Sequence, residues 1–498
     1  MAESKESWLQ KVRDNFKDPE FLKGLSSFIG ANLIGLLSGT IYGMCTLDIY
    51  EISYIKNYTS NDISIDHLAF YYPVEVLFQC FSSFIGGMIE KKIGLHLTNF
   101  LGCSILALSY LVMYWSESFF VDIISMALGG IGTGIIYYPS TTNACLWFPD
   151  HNGIVLGIIE TVISLGSFFC ALVGEIYINP DEEDSRDEDD LYHKGISRKM
   201  KGFLIIEIVY IIYTFILSYF LMYDKKEEDR ENNINSAVIN TNSSGSSDLQ
   251  SDLLSNYSRN SELSDKEKYK KMIWKACKSK RLILYAIILI CEAQAPAMIF
   301  SLYRAIGEYE GIDTGTLQLI GSLSFIFECS SGILVGILCD YVNLKLLFLL
   351  INGSMAVLVY TFCTTIKNDN AYLWINNIAS FVAGGTYPFS DYYMLKVFGN
   401  EIYIELMGYI SFLTNLVVVA LSPLAYYLET SESDNKTKAY WILFTILGTF
   451  NLIAFILSFF INTEPFIYEE KSEKESLKPK EIKGTIGKEM ILKDSIND

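Results

Sequence analysis

The sequence has few of the side chains from which metal sites and catalytic sites are usually built. Its four histidines are scattered, and its ten cysteines include no C-x-x-C pair. Most of the cysteines lie inside apolar stretches, where close packing is their ordinary role. No nucleophile–base pair, nucleotide-binding motif or zinc spacing is present either. We therefore expect no metal, no cofactor and no enzymatic activity.

Charged residues are also scarce, and the net charge has the wrong sign for binding nucleic acid. Only 19% of the 498 residues are charged, and the net charge is -19. Much of the negative charge lies in loops such as D-E-E-D-S-R-D-E-D-D at 181–190, which we interpret as a solvated loop rather than a metal site. The first 27 residues are polar and of mixed charge, which predicts that no cleavable signal peptide is present.

Long apolar runs are abundant. Hydrophobic residues make up 51% of the chain and fall into twelve blocks, each long enough to cross a hydrocarbon core of ~30 Å. Only helices satisfy all of their own backbone hydrogen bonds in lipid, so the fold class is an all-α membrane protein with twelve transmembrane helices. The blocks lie near 28–47, 68–89, 95–115, 119–142, 153–178, 203–223, 281–303, 316–339, 344–366, 371–395, 402–428 and 439–462.

A polar stretch divides the twelve blocks into two sets of six. It has too few bulky apolar residues to fold alone, which predicts a disordered linker. Its basic end, K-E-K-Y-K-K-M-I-W-K-A-C-K-S-K, is suited to an anionic cytoplasmic leaflet or forms a solvated lead-in to the next helix. The predicted domains are an N-terminal segment (1–27), a first six-helix bundle (28–223), the linker (224–279), a second six-helix bundle (280–462) and a C-terminal tail (463–498).

The positions of Lys and Arg predict the orientation in the membrane. The side with both termini and the linker carries 26 of these residues and the opposite side about 10, so the positive-inside rule places both termini in the cytoplasm. The glycosylation sequons that begin at Asn57 and Asn435 lie in predicted outer loops, which agrees. No organelle-targeting segment is evident, so we expect the plasma membrane, with an organellar membrane as the alternative. We also expect the protein to be a monomer.

Two features recur at the same distance in both sets of helices. Tyr138-Pro139 returns as Tyr387-Pro388, 249 residues later, and the loop that begins at Gly87 returns at Gly336 with the same offset. A shared offset indicates two structurally equivalent halves. A stripe of glycines before Tyr138 predicts close helix packing.

These features resemble the major facilitator superfamily. The twelve spans, the central linker and the loop Gly336-Ile337-Leu338-Cys339-Asp340 match its G-x-L-x-D pattern, although Lys91 occupies the acidic position in the first half. The resemblance implies two six-helix bundles and alternating access to a small-molecule solute. It also implies the gating residues, which are Gly87, Pro139, Gly336, Asp340 and Pro388.

Within that superfamily, residues 132–157 resemble the branch of oxalate:formate antiporters and monocarboxylate transporters. The matching elements are a glycine-rich helix, a Tyr-Pro step, Trp147-Phe148-Pro149 and the spaced small residues Gly153 and Gly157; Asn152 stands where a basic residue is usual. This resemblance implies a monocarboxylate or related organic anion as the solute.

Ionisable residues inside the apolar blocks are candidates for the solute and proton pathway, because charge is costly in the membrane. Apart from Arg304 no cation lies deep in any block, which favours proton coupling and would equally suit a cationic or zwitterionic solute. A uniporter and a non-transporting sensor on the same fold are the remaining alternatives. The candidates are Tyr42, Tyr71, Glu75, Gln79, Tyr138, Glu160, Glu292, Glu328, Tyr387 and Asp391.

Glu75 is the strongest of these candidates. Tyr71, Glu75 and Gln79 lie on one face of a helix at spacings of four residues. The position is central in its block, where burial favours the neutral form of a carboxyl group. We therefore predict that Glu75 pairs with Gln79 and couples the carrier to protons.

Overall fold

The computed structural model describes residues 17–58, 70–180, 191–226, 267–431 and 436–466, and its regular secondary structure there is helical. Thirteen main helices are numbered here in chain order. They are α1 Pro19–Tyr58, α2 Tyr71–Ile93, α3 Leu95–Trp115, α4 Phe119–Trp147, α5 Asn152–Ile178, α6 Lys199–Leu221, α7 Lys280–Glu292, α8 Gln294–Glu310, α9 Thr314–Tyr341, α10 Leu344–Thr365, α11 Asp369–Phe398, α12 Tyr403–Ser431 and α13 Lys436–Ser458.

The predicted fold class is confirmed. Within the described residues, eleven helical segments are long and apolar enough to cross a membrane. The remaining long helix, α11, has thirty residues but falls outside that set. It carries buried Asn376, Asn377 and Asp391, which lower its hydropathy. Helices α7 and α8 form one crossing that is interrupted at Ala293, three residues before Pro296, where proline disfavours continuation of the preceding helix.

The first helix is much longer than the apolar run that predicted it. Helix α1 has forty residues, which corresponds to about 60 Å at the usual rise per residue. The apolar run at 28–47 marks only the part suited to hydrocarbon. The helix continues to Tyr58 because its last turns are covered: Asn57 donates to the carbonyl of Tyr192 at 2.7 Å.

Small residues let α4 approach its neighbours closely, as the glycine stripe predicted. A Cβ on Gly130 would lie 2.9 Å from the backbone nitrogen of Gln79 on α2. A Cβ on Gly132 would lie 2.7 Å from the backbone nitrogen of Leu106 on α3. Close contact of this kind is how helices associate in lipid, where no hydrophobic force drives them together.

The two sides of the helix bundle are distinguished by where the linker begins and ends. Ser26 near the start of α1 donates to the carbonyl of Leu221 at the end of α6 at 2.8 Å. At the second half, Arg281 at the start of α7 donates to the carbonyl of Glu464 at 2.8 Å. We call this face the linker side and the opposite face, where α1 ends, the far side.

The last part of the predicted linker is helical. Residues 267–277 form a helix, because Tyr269, Met272, Ile273 and Ala276 give it an apolar face that packs against the core. The rest of the predicted linker from residue 227 to 266, the acidic loop 181–190, the tail beyond 466, the first 16 residues, Thr59 and Asn435 lie outside the described residues.

Candidate functional site

The two halves meet along two pairs of helices that extend inward from the linker side. Helix α5 packs against α9, and α2 packs against α12. The α5–α9 contact runs from Gly153 to Phe168, whose ring lies 5.7 Å from that of Phe325. The α2–α12 contact includes Phe81 and Phe412, with ring centroids 6.0 Å apart. The halves are therefore closed against each other on the linker side.

Asp340 joins the halves at the linker-side end of α5. Its two carboxylate oxygens accept backbone N–H groups from Gly153 at 2.9 Å and from Ile154 at 3.0 Å. These are among the first N–H groups of α5, which have no partner within the helix and which carry the positive end of its dipole. Asp340, proposed from the loop motif, thus holds α9 to the start of α5.

Two glycines bring α5 and α9 into backbone contact at the same place. A Cβ on Gly157 would lie 2.5 Å from the carbonyl oxygen of Gly332, and a Cβ on Gly336 would lie 2.6 Å from that of Gly153. Real Cβ atoms do not approach this closely, so only glycine fits. The loop glycine Gly336 is therefore part of the contact between the halves.

At the equivalent place in the other half, the contact is made by a positively charged side chain instead of a carboxylate. Lys91 lies 249 residues before Asp340, and its ammonium group forms an ion pair with Glu405 at 2.7 Å and donates to the carbonyl of Glu401 at 2.9 Å. Gly87 on the same helix packs against Ile404. The predicted repeat is thus visible as the linker-side ends of α2 and α9, each of which contacts the first turn of a helix in the opposite half.

We expect Asp340→Asn to lower turnover more than solute binding. The amide nitrogen of asparagine cannot accept an N–H group, so one of the two bonds to α5 is lost while the solute site is untouched. Initial transport rates and equilibrium binding of the same solute measure the two effects. Asp313→Asn, at the far-side N-cap of the same helix, is the matched control. Unchanged turnover in Asp340→Asn would remove Asp340 from the gate.

Three carboxylates lie together between the halves, inward from this closure. Tyr137 of α4 connects two of them: its hydroxyl bonds to Glu160 of α5 and donates to Asp391 of α11 at 2.9 Å. The third, Glu328 of α9, accepts from Ser164 of α5 at 3.2 Å. We call Glu160, Glu328 and Asp391 the interface carboxylates. Each was predicted from sequence, whereas Tyr137 was not.

The interface carboxylates have no basic partner among the residues that the structure describes. Glu160 interacts electrostatically with both Asp391 and Glu328. In the described ranges, none of the three forms an ion pair with Lys or Arg. Asp391 is 3% exposed, while Glu160 and Glu328 are partly exposed. Like charges this close disfavour full ionisation, so the group is suited to hold protons or a positively charged ligand.

Aromatic hydroxyl groups border the same space. Tyr387 lies one turn before Asp391, interacts with Glu328 and Glu160, and is 53% exposed although it is in the middle of α11. Tyr138 packs its ring 5.8 Å from that of Tyr403 across the two halves. The repeated Tyr-Pro steps therefore lie next to the interface carboxylates, with Pro139 and Pro388 each inside an otherwise continuous helix.

The predicted stripe on α2 faces the interior of the first half. The hydroxyl of Tyr42 donates to Gln79 at 2.6 Å, so Gln79 bonds α1. Tyr71 donates to Asp122 of α4 at 3.2 Å. Glu75 is 0% exposed and accepts from the thiol of Cys45 at 3.4 Å. The stripe shares one face as predicted, but the partner of Glu75 is Cys45 and not Gln79.

A buried cation that the sequence did not single out lies at the far-side end of α6. Lys201 of α6 forms an ion pair with Glu51 of α1 and donates to the carbonyl of Met113 at 2.7 Å. Glu51 in turn interacts with Asp122. Sequence reasoning missed Lys201 because the apolar block was taken to begin at residue 203, whereas the helix begins at Lys199.

Lys201→Met is expected to destabilise the protein by about 3–5 kcal/mol, because it leaves the buried Glu51 carboxylate without its partner. Thermal unfolding in detergent measures the loss. Lys201→Met combined with Glu51→Gln should recover part of it, and Lys199→Met at an exposed neighbouring position should have little effect. A single variant as stable as the wild type would show that the pair contributes nothing.

Glu292 is separate from the interface carboxylates and from the stripe on α2. It is buried at the end of α7, beside the break at Ala293 and near Asn352 of α10. It therefore lies within the second half rather than between the halves. Within the described residues no cluster of three or more His, Cys, Asp or Glu side chains has the arrangement of a metal site.

The same architecture is found in solved structures of other proteins. The proton:xylose symporter XylE, bound to 6-bromo-6-deoxy-D-glucose, superimposes with a TM-score of 0.66 at 14% identity, over 89% of this chain and 97% of that one. The fucose:proton symporter FucP of E. coli superimposes with a TM-score of 0.59 at 11% identity, over 87% and 99%. At these identities the similarity concerns the fold.

The sequence itself identifies the family. Residues 27–306 and 285–495 match the family model of the Major Facilitator Superfamily. The chain therefore belongs to this superfamily, as the loop motif and the repeated halves predicted. No curated protein sequence is significantly similar to it.

Proposed function

We propose that the protein is a secondary active transporter that moves a small, positively charged or zwitterionic organic solute by alternating access, coupled to protons. The observation that carries this proposal is the group of interface carboxylates, which lies between the halves and has no basic partner in the described part of the chain. In this proposal the linker side is cytoplasmic, as the distribution of Lys and Arg favours.

The charge of the site supports a cation over an anion. A solute whose only charge is a carboxylate would need Lys, Arg or a helix N-terminus at the site, whereas Glu160, Glu328 and Asp391 would repel it. An amine or guanidinium group would form charge-assisted hydrogen bonds with the same residues. Partly exposed Tyr387 supplies an aromatic face beside them, against which a cation can pack.

A monocarboxylate is the second candidate. It is favoured by Trp147-Phe148-Pro149 and by the spacing of Gly153 and Gly157, which resemble the monocarboxylate branch. The glycines are explained here by the packing of α5 against α9. The glycines therefore support a closing contact between α5 and α9 as in that branch. They do not indicate the charge of the solute.

Substrate-accelerated counterflow in proteoliposomes tests the transport activity. Carboxylates, amino acids and organic cations are screened at two pH values, with protein-free liposomes as the control. We expect counterflow with a solute that bears an amine or guanidinium group. A protein that binds such a solute without exchanging it would be a sensor, and counterflow with carboxylates alone would favour the second candidate.

Glu75→Gln is expected to abolish accumulation driven by a pH gradient while leaving exchange at equilibrium intact. The carboxyl group is fully buried in the first half and interacts with Asp48, so its protonation can change without direct contact with the solute. Accumulation and exchange of the same labelled solute are compared, with Glu464→Gln at an exposed position as the control. Accumulation with wild-type pH dependence would make Glu75 a structural residue.

A further inference from the structure

The helix at residues 267–277, called the linker helix here, has two different faces. Tyr269, Met272, Ile273 and Ala276 lie on one face and pack against the protein. The opposite side carries the exposed side chains of Lys268, Lys270, Lys271 and Trp274, with the exposed Glu267 at its start, and the exposed Lys278 directly follows the helix. One face is therefore committed to the protein, and the other is basic with an aromatic residue at its centre.

The inner face contacts the closure between the halves. The ammonium group of Lys91 bonds to the hydroxyl of Tyr269 and lies 3.8 Å from the centre of its ring. The same ammonium group forms the ion pair with Glu405 of the second half. Burial, with the carboxylate of Glu405 nearby, raises the pKa of the Tyr269 phenol, which is therefore neutral at physiological pH.

The start of the linker reaches the residue next to this contact. Lys226 forms an ion pair with Glu90 at 2.8 Å, and Glu90 directly precedes Lys91 on α2. Residues on both sides of the segment 227–266 therefore hold the linker-side end of α2. This arrangement connects the linker to α2, the helix that carries Lys91 of the Lys91–Glu405 pair.

The outer face has the composition of a surface in contact with phospholipid headgroups. The linker helix ends three residues before α7 begins at Lys280, and α7 is the start of a membrane-crossing segment, so we place the linker helix at the level of the headgroups. Trp274 is 65% exposed, and the ammonium group of Lys278 lies 4.1 Å from the centre of its ring. Tryptophan is typical of membrane interfaces, and clustered lysines attract anionic lipids.

We propose that the basic face of the linker helix binds anionic phospholipid headgroups, and that this binding holds Tyr269 against the Lys91–Glu405 pair and favours closure on the linker side. The lipid thereby regulates which side of the carrier is open. Lipid binding requires only that α7 crosses the membrane, whereas its effect on the closure rests on the alternating access proposed above; neither depends on the identity or charge of the solute.

Hydrogen exchange of the full-length protein in lipid nanodiscs tests the proposal. Exchange of peptides from the linker helix is compared in discs of phosphatidylcholine alone and discs that also contain phosphatidylserine. We expect phosphatidylserine to slow exchange by up to about fivefold for each lysine that reaches the headgroups. High salt should remove the effect. Equal exchange in the two kinds of disc would contradict lipid binding.

Variants separate lipid binding from its effect on the closure. Lys271→Gln with Lys278→Gln should lose most of the phosphatidylserine effect, whereas Lys199→Gln with Lys367→Gln, at exposed positions on the far side, should retain it. Tyr269→Leu should keep the effect on the linker helix but lose slowing in peptides around Lys91 and Glu405. Lipid-dependent slowing around Lys91 and Glu405 that persists in Tyr269→Leu would contradict the proposed connection.

Discussion

Asp391→Asn is expected to reduce transport of a cationic solute strongly at concentrations where the wild type is half-saturated. The substitution keeps the shape of the side chain but removes one charge from the interface carboxylates and alters the bond to Tyr137. Loss of a hydrogen bond to a charged group costs about 1.5–3 kcal/mol, which corresponds to a fall in affinity of about 10- to 150-fold. Uptake over a range of solute concentrations measures this fall in affinity.

The matched control is Asp369→Asn, the same change at an exposed position in the first turn of the same helix. It should leave uptake unchanged. If Asp391→Asn transports with wild-type affinity, Asp391 is a structural partner of Tyr137 and the solute binds elsewhere. Glu160→Gln provides an independent check, because Glu160 bonds the same hydroxyl group from the first half.

Gly157→Ala is expected to hold the linker side open and to stop transport. The new Cβ would lie 2.5 Å from the carbonyl oxygen of Gly332, and backbone on a packed helix cannot move aside without separating α5 from α9. Cys145 reports the change, because it is buried between the halves near Asp340 and Asp391. A water-soluble maleimide should label Cys145 several-fold faster in the variant.

Gly35→Ala on α1 is the control, since a Cβ there meets its nearest neighbour at 3.6 Å and fits. It should neither expose Cys145 nor alter transport. Labelling of individual cysteines is read by mass spectrometry of their peptides. Wild-type labelling together with wild-type transport in Gly157→Ala would show that close contact of α5 with α9 is not required in the transport cycle.

The sequence predicts the helices and the two halves well because both leave periodic signals. Apolar runs reflect the thickness of the bilayer, and the offset that relates Tyr138-Pro139 to Tyr387-Pro388 reflects a structural repeat. The break at Ala293 and the length of α1 have weaker signals. Polar turns beyond the hydrocarbon, such as those that lead to Tyr58, are helical because of tertiary contacts that hydropathy does not report.

The candidate site is only partly readable from sequence. Glu160, Glu328 and Asp391 are found because a carboxylate in an apolar run is costly, but nothing local shows that α5, α9 and α11 bring them together. Tyr137 carries no signal of its own, because the motif directs attention to Tyr138. Only the fold shows that the hydroxyl of Tyr137 reaches two carboxylates from opposite halves.

Helical periodicity also identifies faces without identifying partners. It places Tyr71, Glu75 and Gln79 on one side of α2, which is what the structure shows. It does not determine that Gln79 bonds Tyr42 or that Glu75 bonds Cys45. Lys201 shows a second limit of sequence patterns. It lies just outside an apolar block, yet it is buried and pairs with Glu51.

The charge of the transported solute is the most direct test of the central proposal, that the interface carboxylates bind the solute between the halves. Proteoliposomes are given a pH gradient and a matched pair of solutes: an amino-acid amide, which is a cation, and the N-acetyl derivative of the same amino acid, which is an anion. We expect accumulation of the cation alone, with its loss in Asp391→Asn. Accumulation of the anion alone, unaffected by Asp391→Asn, would contradict the account.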